Sequence, residues 1–214
     1  MNKFVDRIFY INLEHRNDRK EQIETEIRKF DPYLEITERF DAINVKPTSI
    51  RGTNGAIGCS MSHCKIVQIA KERGYKNILI LEDDFQFIAE KERLLNNLRI
   101  FYENIDNFHL ILLGTNCAKF YDTQYPDIYK VSNSQTASGY IINNSVYDDF
   151  LKIADLSIDN LNKTQNETVW AIDQAWKILQ GENKKVYSFN KIERIGIQRP
   201  SYSDIVGNYV NYGC

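Results

Sequence analysis

Two short apolar runs stand out along this chain, Ile78-Leu79-Ile80-Leu81 and His109-Leu110-Ile111-Leu112-Leu113. Each is too short for an ordinary helix and lies near a glycine, Gly74 before the first and Gly114 after the second. Unbroken apolar runs of this length predict strands buried on both faces, as in parallel sheets. A first strand is predicted over Arg7 to Leu13, around Ile8, Phe9, Tyr10 and Ile11. Asp18 and Glu21 have capping-box spacing and predict a helix to about Phe30, with Ile23, Ile27 and Phe30 on one face. Asp31-Pro32 stops it. Glu35 to Phe40 predicts a second strand, followed by an irregular segment with Pro47, Gly52 and Gly55. Ala56 to Arg73 predicts a helix with Ile66, Ile69 and Ala70 at core spacing and Gly74 as its stop.

Beyond the acidic end of the first apolar run, a charged helix is predicted over Lys91 to Tyr102. Thr115 to Ser134, rich in Tyr, Asn and Asp, predicts a hairpin or surface loop. Thr136 to Ile142 reads as a strand and Ser145 to Ala154 as a helix. Thr164 and Glu167 are placed to cap one helix running through Trp170, Asp173 and Trp176 to Leu179, and Lys185 to Phe189 is a last strand before an irregular tail from Gln198. No internal repeat or linker interrupts the series. Strands alternating with helices predict one α/β domain over residues 1–214, with a mostly parallel central sheet flanked by helices.

Composition narrows the function classes. The 214 residues suit one substantial domain, and 43% hydrophobic with 26% charged residues is ordinary for a globular protein. The formal net charge of −2 gives no global reason to expect nucleic-acid binding, so any anion site is local. Charges recur every few residues in Met1 to Arg7, unlike a signal-peptide apolar core, and no apolar run approaches a membrane span. The expectation is a cytoplasmic location, with a place peripheral to a membrane as the alternative. Cys59, Cys64, Cys117 and Cys214 match neither zinc-knuckle nor CxxC spacing and read as buried or incidental thiols.

The sharpest chemical signal is Glu82-Asp83-Asp84, where the first apolar run ends in three consecutive acids before Phe85. Carboxylates crowded at the end of a buried strand repel one another and lose hydration, and a cation relieves both costs. Hard oxygen ligands suit Mg²⁺ or Mn²⁺, ions that commonly hold substrate phosphates. A solvated acidic turn is the alternative reading. Ligands of open α/β sheets sit at the carboxyl ends of strands, which is where these acids fall.

Several blocks, taken in order, resemble glycosyltransferase family 25, which holds bacterial lipooligosaccharide glycosyltransferases and the collagen galactosyltransferases. They are Phe9-Tyr10-Ile11-Asn12-Leu13 with Arg16, Asp18 and Arg19; Gly55-Ala56-Ile57-Gly58-Cys59-Ser60-Met61-Ser62-His63; Ile80 to Asp84; His109 to Gly114; Ser138-Gly139-Tyr140-Ile141; Asp173 before Trp176; and Ser203-Asp204-Ile205. The resemblance covers nearly the whole chain. It implies a GT-A (Rossmann-like) fold, a nucleoside-diphosphate sugar donor such as UDP-glucose or UDP-galactose, a divalent metal (Mn²⁺ or Mg²⁺) and inversion at the anomeric carbon. Glycan, lipid-linked sugar and hydroxylysine-type acceptors all remain open.

The resemblance also distributes roles. Glu82-Asp83-Asp84 matches the family's DXD-type element with Glu in first place. Alternation at a strand end puts Glu82 and Asp84 on one face and Asp83 on the other, so Asp84 is expected to ligate the metal and Glu82 to bind through water or to the ribose. Asn12, Arg16 and Arg19 follow the first strand, where the nucleotide half of the donor would lie; the expectation favours Asn12 and Arg16, against the reading that these are helix-start residues. Ser62 and His63 are expected near the sugar or diphosphate, with a packed structural histidine as the alternative. Gly55 and Gly58 allow close backbone approach there.

Asp173 is the expected general base for the acceptor hydroxyl. An acceptor-binding or plain helix-surface Asp is the alternative. Trp170, Trp176 and Tyr140 are candidates for sugar stacking or for the core. GT-A enzymes often draw a further metal ligand from a C-terminal His, and no His follows His109 here, so Asp204 is the candidate third ligand. Arg199 is the candidate to balance the diphosphate. The expected reaction is hexosyl transfer from a UDP-sugar. Its rivals are metal-dependent nucleotidyl transfer and a catalytically weak or inactive UDP-sugar-binding module.

Overall fold

The computed structural model describes residues 1–45, 53–116, 118–189, 194–203 and 208–211. The chain opens with β1 (Arg7–Asn12), α1 (Asn17–Arg28) and β2 (Thr37–Asp41), then α2 (Thr53–Glu72), β3 (Asn77–Glu82), the short β4 (Phe85–Phe87) and α3 (Lys91–Asn104). It continues through β5 (Leu110–Leu112), the hairpin strands β6 (Lys119–Asp122) and β7 (Ile128–Ser132), and β8 (Gly139–Asn143). There follow α4 (Tyr147–Thr164), α5 (Glu167–Trp170), α6 (Ile172–Ala175), β9 (Val186–Phe189), β10 (Gly196–Gln198), β11 (Ser201–Ser203) and β12 (Asn208–Val210).

The central sheet has eight strands in the order β2-β1-β3-β8-β5-β9-β7-β6. Pairs β1–β2, β1–β3 and β5–β9 are parallel, while β8 lies antiparallel between β3 and β5, and β7 lies antiparallel between β9 and β6. The sheet is therefore mixed: β1, β2, β3, β5, β6 and β9 share one direction, and β7 and β8 oppose it.

Period-2 alternation explains how both faces are covered. Ile8, Tyr10, Leu79, Leu81, Ile111 and Ile141 join the core beneath α1 and α3, with Ile23, Ile27, Leu94, Leu98 and Phe101. Their neighbours Phe9, Ile11, Ile78, Ile80, Leu110, Leu112, Tyr140 and Ile142 face α2, α4 and α6, with Ile66, Val67, Ala70, Phe150 and Trp176. The α/β class read from the sequence is the one the chain forms, with helices on both faces of the sheet.

Three helices differ from their sequence expectation, each for a local reason, and the tail expected to be irregular from Gln198 instead pairs β11 with β12. α1 starts at Asn17 with no side-chain cap, because Asp18 is engaged by Arg16 through paired bonds of 3.0 and 2.9 Å. α4 runs ten residues beyond Ala154, to Thr164, because its buried stripe continues through Ser157 to Leu161; a polar residue in the stripe hides the period. The single helix expected to run from the Thr164 and Glu167 cap to Leu179 is broken at Ala171, whose ψ of 150° is extended. Ser157 Oγ donates to the Trp170 carbonyl (2.6 Å), Asp173 Oδ2 accepts the Thr136 N–H (3.1 Å), and Trp176 Nε1 donates to the Ser134 carbonyl (3.2 Å). These tertiary contacts override the local helical preference.

The acidic end of β3 is clamped. Glu82 N–H donates to the Ser138 carbonyl and Arg199 N–H to the Asp84 carbonyl, each at 2.8 Å. Phe85 is buried between the backbones of Gly139 and Gly196, where an added Cβ would come within 2.4 and 2.1 Å of its ring respectively. Overpacking of a filled site destabilises by roughly 1–3 kcal/mol. Gly139→Ala is therefore expected to lower the urea midpoint by a corresponding amount, whereas an unchanged midpoint would mean that the clamp is not tight.

Candidate functional site

Two adjoining clefts meet at the carboxyl end of β3. The first is walled by Ile11, Asn12, Arg19, Ile43, Asn54 and Ser62, with Glu82, Asp83 and Asp84 along one side. The second is walled by Ala56, Thr136, Ala137, Ile172 and Asp173. Cys59, Glu82 and Gln198 line both.

The three acids divide their contacts. Asp83 is held on both oxygens, Oδ1 by Arg19 Nη1 and Oδ2 by Asn12 Nδ2, each at 2.8 Å. Burial pushes its carboxyl upward, and Arg19 and Asn12 pull the other way. Asp84 Oδ2 accepts from Gln198 Nε2 (3.2 Å) and lies 3.5 Å from Arg19 Nη1. Asp84 Oδ1 is buried and has no hydrogen-bond partner among the described residues. Burial first, and then the Glu82 charge, push the Asp84 carboxyl up to about 7.

Glu82 has its own brace. His63 is fully buried on α2; its Nε2 lies 3.1 Å from Glu82 Oε1 and its Nδ1 2.8 Å from the Tyr140 hydroxyl. Burial opposes the Glu82 charge, but the hydrogen bond and charge interaction with His63 and the Cys59 thiol bring its carboxyl below the ordinary value. His63 lines neither cleft and is packed behind Glu82, which it braces. Ser62 does line the first cleft, but its hydroxyl donates to the Gly58 carbonyl (2.7 Å) and accepts the Ile43 N–H (2.9 Å). A Cβ on Gly58 would sit 2.2 Å from the Ile43 carbonyl oxygen, so glycine is needed for α2 to reach the segment after β2.

Around β1, Asn12 is buried, bonds Asp83 and the Arg16 carbonyl, and accepts from Arg39 Nε (3.1 Å). Arg19 also reaches Ser201 Oγ (2.6 Å) and the Tyr202 carbonyl (2.7 Å), tying β11 to the acids. Arg16 does not line the cleft, and its side chain turns to Asp18. Arg199 points its guanidinium at Glu26 Oε1 (2.7 Å), on α1, although its backbone N–H touches Asp84. Asp204 lies outside the described residues.

Asp173, in the first turn of α6, is half-buried beside the second cleft. Its carboxyl is raised by burial first, opposed by the Thr136 N–H and reinforced by the Glu82 charge. Trp176 and Tyr140 are fully buried, packed edge to face at 5.2 Å, and belong to the core. Trp170 is half-buried and packs against Ala56, Ile57 and Leu161. The residues near the acids to which the sequence reading gave no site role are Gln198, Arg39 and Cys59. Only the three-dimensional return of β10 to β4 brings Gln198 there.

The donor set suits a hard divalent cation. Oxygen ligands, an orphaned buried oxygen on Asp84 and an adjoining Glu82 are what Mn²⁺ or Mg²⁺ would satisfy. Asp83, already saturated by Arg19 and Asn12, is the least available of the three acids. The Asp84 shift also fixes a pH dependence for the metal-free protein. Its folded value of about 7 lies above the ordinary 3.8, so between those pH values the folded state holds a proton that the unfolded state has released. Stability from this group is fully present below pH 3.8 and is lost as pH rises through about 7. In urea titrations without metal, Asp84→Asn is expected to be less sensitive to pH across this window than the wild type; parallel pH curves would contradict the assigned burial.

The profile of glycosyltransferase family 25 (LPS biosynthesis protein) matches residues 5–176. A "Glycosyltransferase 25 family member" of Drosophila melanogaster is 32% identical over 135 residues, covering 51% of this chain and 21% of that protein. Human "Procollagen galactosyltransferase 2" is 29% identical over 131 residues, covering 51% of this chain and 20% of that protein. The matched region thus spans about a fifth of the length of these relatives. Among solved structures, the glycosyltransferase GlyE of Streptococcus pneumoniae TIGR4 aligns with a TM-score of 0.44 at 13% identity, covering 86% of this chain and 45% of that one. The family profile extends from before β1, across the acidic end of β3, to Asp173 and Trp176, and on that match the chain belongs to glycosyltransferase family 25.

Proposed function

We propose that this chain is a metal-dependent, inverting hexosyltransferase that moves glucose or galactose from a UDP-sugar to a hydroxyl on a glycan, a lipid-linked sugar or a hydroxylysine-type acceptor. One observation carries the reading: a buried, unpartnered Asp84 oxygen lies in a cleft where carboxylates face Arg19, next to a second cleft lined by the half-buried Asp173. An anionic diphosphate entering beside three carboxylates is repelled unless a divalent cation enters with it. The "galactosyltransferase" in the human relative's name favours galactose as the first donor to try.

Asp84 and Glu82 would hold the Mn²⁺ or Mg²⁺, which when bound supplies Lewis-acid neutralisation of the departing diphosphate. Asp83 anchors Arg19 and Asn12, fixing the floor on which the nucleotide lies. The Arg19 guanidinium, 3.5 Å from Asp84, is placed to reach diphosphate oxygens. Ile11, Ile43 and Val45 offer an apolar wall for the base. Asp173, across the Glu82 junction, takes the proton from the acceptor hydroxyl as its oxygen attacks the anomeric carbon. Burial raises its basicity above that of an ordinary carboxylate, which suits this task. Attack from the Asp173 side, opposite the leaving diphosphate, inverts the anomeric centre.

Among the described residues no helix is long and apolar enough to cross a membrane. A screen of UDP-sugars with Mn²⁺, reading UDP release with and without candidate acceptors, tests the reading. One UDP-hexose should be consumed faster when its acceptor is present. UDP binding without release or transfer from any UDP-sugar would favour a binding module instead.

His63→Gln tests the brace on Glu82. It is expected to weaken Mn²⁺-dependent donor binding about 10- to 100-fold, the usual range for a residue supporting a metal ligand. Calorimetry of UDP binding with and without Mn²⁺ reads this. Equal weakening in both conditions would assign the loss to folding.

A further inference from the structure

The sequence spacing sets Cys59 apart from Cys64, yet the fold brings Cys59 against two other ligand-type side chains. Cys59 and His63 lie four residues apart on α2, so their side chains project from one helical face. Glu82 arrives from the end of β3, with Oε1 3.5 Å from Cys59 Sγ and 3.1 Å from His63 Nε2. The three ligand atoms all lie within 4.8 Å of one another. Metal–sulfur bonds of about 2.3 Å and metal–nitrogen or metal–oxygen bonds of about 2.0 Å at a tetrahedral centre place sulfur and oxygen about 3.5 Å apart, and nitrogen and oxygen about 3.3 Å apart. The observed separations are close to both.

A second observation points the same way. His63 Nδ1 already meets the Tyr140 hydroxyl at 2.8 Å, the kind of outer hydrogen bond that fixes the ring of a metal-binding histidine while its other nitrogen faces the ion. Tyr140 is itself fully buried, so the ring orientation is set by packing. The fourth side of the tetrahedron opens to the clefts, since Cys59 and Glu82 line both.

We propose that Cys59, His63 and Glu82 form a second metal site, selective for a thiophilic ion of the Zn²⁺ class. The hard ion proposed at Asp84 would prefer oxygen ligands, whereas thiolate and imidazole favour Zn²⁺ or Co²⁺. Binding shifts the neutral His63 ring proton from Nε2 to Nδ1, where it donates to the Tyr140 hydroxyl, exchanges the His63–Glu82 hydrogen bond for two metal bonds, adds a sulfur bond and releases the Cys59 thiol proton to solvent. Glu82 is the shared residue: an ion at this site withdraws it from the donor side, so Zn²⁺ antagonises Mn²⁺-dependent UDP-sugar binding. This antagonism rests on the function proposed above, while the site itself does not.

The test uses the full chain without donor. Co²⁺ titrated into wild type and into Asp84→Asn should give a thiolate-to-metal charge-transfer band with tetrahedral visible absorption, displaced by Zn²⁺. Cys59→Ser should abolish the band and weaken Zn²⁺ binding at least about 100-fold, because it removes a direct ligand. Cys64→Ser should preserve both. No band in folded wild type, or a band that survives Cys59→Ser, overturns the site. Calorimetry with UDP-hexose and Mn²⁺ then reads the antagonism: Zn²⁺ should weaken donor binding in wild type and not in Cys59→Ser. Unaltered donor affinity with the Co²⁺ band present would overturn the antagonism alone. Failure of any UDP-sugar to bind in the absence of Zn²⁺ would count against the proposed function and leave the metal site standing.

Discussion

Asp173→Asn is expected to cut turnover by ~10²- to 10⁴-fold while leaving donor affinity intact, the usual worth of a general base. The substitution is nearly isosteric, and the amide oxygen can still accept the Thr136 N–H that Asp173 Oδ2 now holds at 3.1 Å. The fold around α6 should therefore survive, and what is lost is the capacity to take a proton. Asp173 is half-buried and lines the second cleft, where an acceptor hydroxyl can approach it. Burial raises its carboxyl, so the wild-type rate should fall as pH drops through a value above the ordinary 3.8, and that acidic limb should vanish in the variant. Steady-state kinetics across pH, with calorimetry of donor binding, checks both points. A loss of only about twofold, against the ~10²-fold minimum expected of a base, would exclude the role.

Asp84→Asn should act in two directions at once. Metal-dependent donor binding should disappear, because the variant no longer offers the charged, unpartnered oxygen that Oδ1 presents. Metal-free stability at neutral pH should rise, because the charge buried beside Glu82 and Asp83 is removed while an amide oxygen can keep the Gln198 bond. Opposite signs are diagnostic. A merely structural residue would lose stability and binding together, whereas a site residue held at a cost to the fold trades one for the other. Calorimetry with UDP and Mn²⁺ reads the first effect and urea unfolding in chelator the second. Unchanged Mn²⁺-dependent affinity would remove Asp84 from the metal site.

The parts of the fold legible in the sequence were those whose burial leaves a periodic trace. β1, β3 and β5 read as apolar runs because helices cover both their faces, and the tyrosine-rich section folds into the β6–β7 hairpin. Strand direction has no such trace. β8 carries Gly139 to Asn143 in a pattern that reads alike both ways, and only its connections make it antiparallel between β3 and β5. The break at Ala171 was equally hidden, since it depends on Ser157 and Thr136, both distant in sequence.

At the site, the acids were legible as a cluster, but their division of contacts was not. Arg16 and Arg19 are alike in sequence, and only packing decides that Arg19 reaches Asp83 while Arg16 turns to Asp18. Helical spacing alone shows that Cys59 and His63 share a face. That Glu82 completes the group depends on how α2 packs beside the end of β3.

The most direct measurement follows the sugar itself. The protein is incubated with Mn²⁺, an acceptor and UDP-α-hexose labelled in the hexose, and the product is read by anomeric NMR. The label should leave UDP, appear in a glycoside and carry the β configuration, as inversion from the Asp173 side requires. Label retained on phosphate, as in nucleotidyl transfer, or an α-glycoside would contradict the two-part site centred on Glu82.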